Sequence, residues 1–237
     1  MISVCIATYN GQKFISAQLD SILPQLGAKD EVIVSDDGSS DETITIINEY
    51  VKKDKRIRLT EGPRQGVIAN FNWAVSQSAG EFIFLADQDD VWLPEKVDKI
   101  LGYFSEHPEA ELVVSDLTIV DEGLKPIISS YFDYRKVKQG FWTNFMKSGY
   151  IGAGMCLRAS LKKKILPIPY NVPMHDMWIG LISEYYHSSA FLKEPLTYYR
   201  RHEENVSEIA TSSSAVQKIT WRLTLIYLLI QRLFFKR

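Results

Sequence analysis

Three short polar clusters carry the side chains best suited to chemistry, and each follows an apolar run. They are Thr8-Tyr9-Asn10, Asp36-Asp37-Gly38-Ser39 and Asp87-Gln88-Asp89-Asp90. Five carboxylates brought to one edge would repel strongly unless something cationic sits among them. A hard divalent cation, Mg²⁺ or Mn²⁺, answers that need because it prefers oxygen ligands. Such an ion keeps one or two protein carboxylates and fills its shell with water and phosphate, so the edge reads as a candidate nucleoside-diphosphate site. Plainer readings stand beside this one: a turn with a helix N-cap for Asp36–Ser39, and a solvated acidic loop for Asp87–Asp90. Two familiar phosphate signatures are absent. No G-x-G-x-x-G follows the first run, where Gly11 stands alone, and no G-x-x-x-x-G-K-[ST] occurs.

The elements that must position these clusters alternate. Ile2–Ala7, Glu31–Ser35, Ile57–Thr60, Glu81–Ala86 and Leu112–Asp116 read as strands. Between them, Phe14–Gln25, Asp41–Lys53, Val67–Ser78 and a segment from Pro94 to about Phe104 read as helices, the second opening at a Ser-Ser-Asp-Glu capping signal. This pitch predicts an α/β fold of βαβ units, a single Rossmann-like domain with a mostly parallel central sheet. Right-handed crossovers place the strand ends on one edge, where ligands bind in open parallel sheets. The second half is less regular: a strand with close backbone approach over Gly149–Arg158, a helix over Met174–Tyr186, and a strand over Phe191–Arg201. A low-complexity linker, Ser207–Ser214, precedes a final helix over Val216–Arg237.

Composition narrows the class. With 237 residues, 46% hydrophobic and 24% charged, the chain can bury a sizeable core, which excludes disorder. A formal net charge of −2 argues against nucleic-acid binding by bulk charge. That total hides an asymmetry, because Val216–Arg237 holds five basic residues and no acid. Cys5 and Cys156 sit in apolar runs and read as structural thiols in a reducing compartment, with a disulfide or a nucleophile as the alternatives. The N-terminus opens into a strand pattern without a secretion signal, and no uncharged apolar run reaches the ~18–20 residues that span a bilayer. A cytoplasmic location is expected.

Taken together, the motifs resemble the inverting glycosyltransferase family 2, with its GT-A fold. The resemblance runs through "SVCIATYNGQKFISAQLDSIL", "EVIVSDDGSSDET" and "GVIANFNWAVSQSAGEFIFLADQDDVWLPEKV", then "GAGMCLR", "PMHDMW" and "YYRRHEENVS", in order to about residue 207. The "DQDD" and "HDMW" forms are most similar to those of bacterial surface-polysaccharide transferases, rhamnosyltransferases included. The resemblance implies a GT-A domain over residues 1–210, with residues 211–237 as linker and helix.

It also implies roles. Thr8 and Tyr9 would line the base and ribose pocket, and Asp37, with Asp36 beside it, would accept the pyrimidine imide N–H of a UDP or dTDP donor. Asp89 would contact the metal, Asp87 would lie nearer the ribose, and Asp90 would extend the motif. Arg64 and Gly66 would approach the nucleotide, and His202 would reach the metal or the diphosphate. Asp176 would be the catalytic base of a single displacement, which requires one because a hydroxyl is a poor nucleophile until a carboxylate takes its proton. On residue type alone, Asp176 is equally a first-turn carboxylate favoured by the helix dipole, and His202 an exposed loop histidine. His175 is a candidate acceptor-site residue. Trp178 could stack on a sugar or pack in the core. A sugar nucleotidyltransferase or a non-catalytic nucleotide-sugar binding module are the competing classes; the first usually carries a Gly-rich basic loop where this chain has Thr8-Tyr9-Asn10.

In the final helix, Lys218, Arg222, Arg232, Lys236 and Arg237 fall within an arc of about 140°, opposite Leu223, Tyr227, Ile230 and Phe234. A helix this apolar, flanked by basic residues, suits the surface of an anionic membrane and a lipid-linked acceptor. Docking on the domain or on a second subunit is the alternative.

Overall fold

The computed structural model describes residues 1–202 and 214–235. The expected linker therefore lies, except for Ser214, outside the described residues. So do the proposed domain boundary at 210, the end of the "YYRRHEENVS" motif, Lys236 and Arg237.

The first half builds β1 (Ile2–Thr8), α1 (Ile15–Ile22), β2 (Glu31–Asp36), α2 (Thr43–Lys53), β3 (Ile57–Glu61), α3 (Val67–Gln77) and β4 (Phe82–Asp87). A two-residue strand β5 (Val91–Trp92) precedes α4 (Lys96–Glu106) and the long β6 (Leu112–Val120). The second half adds β7 (Pro126–Ile128), α5 (Tyr131–Arg135), α6 (Phe141–Met146), β8 (Met155–Arg158), α7 (Ala159–Ile165), α8 (His175–Tyr185), β9 (Ser189–Arg200) and α9 (Ala215–Ile230). The described strands form one sheet in the order β3-β2-β1-β4-β8-β6-β9-β5, with β7 paired to β6. Its long ladders, β3-β2-β1-β4 and β6-β9, are parallel. Short antiparallel ladders insert β8 between β4 and β6 and append β5 and β7.

Every residue of β1 is buried, as a strand covered on both faces must be, which explains its continuous apolar run. Alternation along the strands divides the core in two. Ile15, Leu19, Ile47, Ile100 and Phe104 of α1, α2 and α4 cover one face. Phe71 and Val75 of α3, with Trp178, Ile179 and Ile182 of α8, cover the other. Cys5 points into the second layer and Cys156 into the first; both are free and buried, so the sheet separates the thiols and keeps them structural.

Several elements differ from the sequence expectation. The helix expected from Pro94 begins at Lys96, because Glu95 takes a left-handed φ of 67°. The expected strand over 149–158 is strand only from Met155, since Gly152–Gly154 forms a tight 3₁₀ turn. There a Cβ on Gly154 would lie 2.4 Å from the Ser115 carbonyl oxygen, so only glycine lets these backbones meet. Elements β5, β7, α5, α6 and α7 are too short to carry a readable period. Trp178 is fully buried, its Nε1 donating to the Ile165 carbonyl at 2.9 Å, so it packs the core and cannot stack on a sugar.

Candidate active site

Thr8, Asp36 and Asp87 are the last residues of β1, β2 and β4, so parallel pairing alone brings the three polar clusters to one edge. A cleft of about 1310 Å³ opens there. Thr8, Tyr9, Asp37, Arg64, Gly66, Asp87, Asp89 and His202 line it, and His175 and Asp176 enter it from the first turn of α8. Asp36, Asp90 and Trp178 do not reach it.

The turn after β2 is held by its own acids. Asp36 Oδ1 accepts from the backbone N–H groups of Gly38 (3.0 Å) and Ser39 (2.8 Å), and Oδ2 accepts from the Ser39 hydroxyl (2.5 Å). Asp37 reaches across to the loop before α3, accepting from the N–H of Arg64 and of Gly66, each at 2.7 Å. That loop carries left-handed φ values at Arg64 (57°) and Gly66 (88°), and the Asp37 carboxylate fastens it. The helix expected from Asp41 begins at Thr43, and its N-cap Glu42 makes no side-chain cap; Asp41, one residue earlier, accepts from the Thr43 N–H at 3.0 Å instead.

Sequence reasoning passed over Gln88, the residue between the two acids. Its Oε1 accepts from the Thr8 hydroxyl (2.6 Å) and the Tyr9 N–H (2.9 Å), and its Nε2 donates to the Tyr9 carbonyl (3.0 Å). Gln88 thus staples the first cluster to the third, and a Cβ on Gly11 would lie 2.3 Å from its Oε1. A glutamine bracketed by acids was the available signal. The buried Gln18 adds a second staple, donating to the Asp87 carbonyl at 2.8 Å.

The turn after β4 buries two of its acids among like charges. Burial, then repulsion from Asp89 and Asp176, pushes Asp87 up to about 7. Asp90 is raised well above the carboxylate range by burial and by Asp89 and Asp87; its Oδ1 accepts from the Arg200 N–H at 3.0 Å, and its Oδ2 is buried without a partner. Arg200 also donates from Nε to the Asp89 carbonyl at 2.8 Å, fixing the turn from β9. The buried Lys96 lies close enough to Asp90 and Asp87 to interact with both; burial pulls it down to about 7, and its Nζ donates to the Ala153 carbonyl and the Thr197 hydroxyl, each at 2.7 Å.

Asp89 and His202 meet although they are 113 positions apart, with Nε2 2.8 Å from Oδ2. Among the described residues no three His, Cys, Asp or Glu side chains stand close enough to hold a metal by themselves. The donor set still fits a hard divalent ion, which takes one or two protein ligands and completes its shell with phosphate and water. Asp87, raised by burial and then by neighbouring negative charge, marks where a cation would be favoured.

Asp176 is pushed up to about 7 by burial, opposed by backbone N–H groups that include Met177 and Gly152. Its influence on Asp87 places the two carboxyls within electrostatic reach across the cleft. His175 stacks on Phe71 at 4.2 Å between ring centroids; both its ring nitrogens are buried without hydrogen-bond partners, and burial pulls it down to about 3. It is a neutral imidazole in the cleft wall.

A parallel α/β edge with paired acids, a clamped loop and a buried third carboxylate defines a nucleotide-dependent transferase architecture, and known proteins make the class specific. Residues 3–165 match the family described as "Glycosyl transferase family 2", and the chain belongs to that family. It is 25% identical over 190 residues to the Escherichia coli enzyme WfgD, a UDP-Glc:alpha-D-GlcNAc-diphosphoundecaprenol beta-1,3-glucosyltransferase, covering 78% of this chain and 70% of WfgD. The fold is GT-A. It superposes on S. aureus TarS 1-349 with a TM-score of 0.72 at 19% identity, covering 97% of this chain and 65% of that one. Glucosyl-3-phosphoglycerate synthase from Mycobacterium tuberculosis, solved with Mn²⁺ and UDP, gives a TM-score of 0.59 at 18% identity over 98% of this chain and 79% of that one.

Proposed function

We propose that this protein transfers a sugar from a nucleoside diphosphate sugar, UDP- or dTDP-linked, to a hydroxyl of a saccharide acceptor. The single observation that carries the reading is Asp176, a buried carboxylate raised to about 7 in the same cleft as Asp87 and Asp89. A general base works best with a pKa near the operating pH. On this reading the acceptor hydroxyl gives its proton to Asp176 as its oxygen attacks the anomeric carbon. The bond to the nucleoside diphosphate breaks on the opposite face, which inverts the centre. Thr8 and Tyr9 line the base and ribose, Asp37 takes the imide N–H, Arg64 and Gly66 border the nucleotide, and Asp87 lies toward the ribose. Asp89 and His202 hold Mn²⁺ or Mg²⁺, as Mn²⁺ accompanies UDP in the mycobacterial synthase. When bound, that cation neutralises charge building on the leaving diphosphate.

WfgD acts on a diphosphoundecaprenol-linked sugar, which supports a lipid-linked acceptor here and a role in bacterial surface-polysaccharide assembly, O-antigen included, at the inner face of the cell membrane. Asp176→Asn should lower transfer by about 10²–10⁴-fold while leaving Mn²⁺-dependent nucleotide-sugar binding intact by calorimetry. Substantial residual turnover removes Asp176 from the base role. The base must be deprotonated to work, so kcat should climb with pH to a plateau above about 7; a kcat already flat from pH 5 contradicts the assignment.

A further inference from the structure

The segment with α9 docks on the domain through both apolar and basic side chains. Leu225 and Leu229 are buried against the domain. The two described arginines of this segment also turn inward. Arg222 Nη2 donates to the Met146 carbonyl at 2.6 Å. Arg232 donates to the carbonyls of Lys164 (3.0 Å), Leu166 (2.7 Å) and Pro167 (2.6 Å), and its guanidinium lies 5.3 Å over the Trp178 ring. Arg222 and Arg232 therefore hold the segment down, and its described apolar residues Leu223, Tyr227, Ile230 and Phe234 face out.

That outer face is extensive. Ile219, Leu223, Ile226, Tyr227 and Ile230 follow helical spacing and are 39–63% exposed, and Phe234, just beyond, is 64% exposed. Phe234 meets the exposed Tyr185 of α8 edge-on at 6.3 Å, and Trp142 and Met146, both exposed, extend the face onto neighbouring α6. Contiguous apolar surface on this scale marks a contact site.

We propose that this face of α9 and α6 rests on an anionic lipid surface. Charge decides the occupant. No acid occurs from Val216 to Arg237, where five basic residues lie. Exposed Lys147 follows Met146, and exposed Lys163 lies on α7, whose C-terminal carbonyl at Lys164 receives Arg232. An apolar face on an acid-free, basic segment gains from anionic headgroups, whereas a second copy meeting it would bring like charges together. The helix lies along the surface, since no helix among the described residues is long and apolar enough to cross a membrane. Trp178, beneath Arg232, sits two residues from Asp176 on α8, which ties the C-terminal segment to the helix that carries the candidate base. The advantage to transfer rests on the proposed lipid-linked acceptor; the lipid contact itself does not.

The full chain is floated with vesicles of mixed phosphatidylglycerol and phosphatidylcholine, and with phosphatidylcholine alone. It should bind the anionic vesicles, and Leu223→Ser/Tyr227→Ser/Phe234→Ser should bind them about tenfold or more weakly. Mn²⁺-dependent UDP binding, measured in parallel, should not change. Brominated lipid in anionic vesicles should quench tryptophan fluorescence of the unsubstituted protein, and less so in Trp142→Phe. Equal binding of both proteins, no binding by the unsubstituted chain, or a dimer dissolved by the triple substitution without vesicle binding each overturns the proposal. Failure of UDP binding in the unsubstituted protein would instead sink the donor-site reading and leave the lipid result standing.

Discussion

The two acidic turns of this molecule look alike in sequence and differ in construction. In Asp36-Asp37-Gly38-Ser39, both carboxylates accept from donors of the turn itself and of the loop before α3 on each of their oxygens. In Asp87-Gln88-Asp89-Asp90, the side chain that is well bonded is the glutamine, while Asp87 and Asp90 are buried among like charges. The first turn is finished as folded and presents a shaped wall. The second buries acids among like charges, with Lys96 pulled down by burial, and so suits a cation and a diphosphate.

This contrast can be broken by substitution. The largest effect should come from Asp89→Ala, which removes a carboxylate that meets His202 and should weaken Mn²⁺-dependent nucleotide-sugar binding by about 100-fold in calorimetry. Equal affinities with and without the substitution would place the metal elsewhere. Next, the same change of Asp to Asn should act oppositely on the two turns. Asp36→Asn replaces charge-assisted bonds by neutral ones and should cost about 1–2 kcal/mol, a drop of several degrees in melting temperature. Asp90→Asn keeps the acceptor for the Arg200 N–H while removing an acid that burial disfavours as an anion, so melting in metal-free buffer at pH 8 should hold steady or rise slightly. Sign agreement between the two variants would end the distinction.

Much of the site was legible because it follows from strand ends. Once Ile2–Ala7, Glu31–Ser35 and Glu81–Ala86 read as parallel strands, Thr8, Asp36 and Asp87 had to share an edge, and they do. Buried β1 was legible for an equally local reason, its continuous apolar run. Gln88 was not, because its partners, Thr8 and Tyr9, lie about 80 positions away and a glutamine has no preferred local role. Short elements such as α5, α6 and β7 escaped because a five-residue helix or three-residue strand spans too little of a period to register.

By itself, the sequence determined the alternation of elements, the edge on which the acids gather, the separation of its thiols into apolar strands and the family to which the chain belongs. These depend on period and order, which neighbouring residues encode. Tertiary structure alone decided that His202 meets Asp89, that Asp176 is buried deeply enough to be raised to about 7, that Trp178 is core, and that Arg222 of α9 and Arg232 just beyond it turn inward. Each of those depends on which surface an element buries. A helix offers two faces to choose between, and the choice at α9 went to carbonyl oxygens at the ends of α6 and α7 that local sequence could not locate.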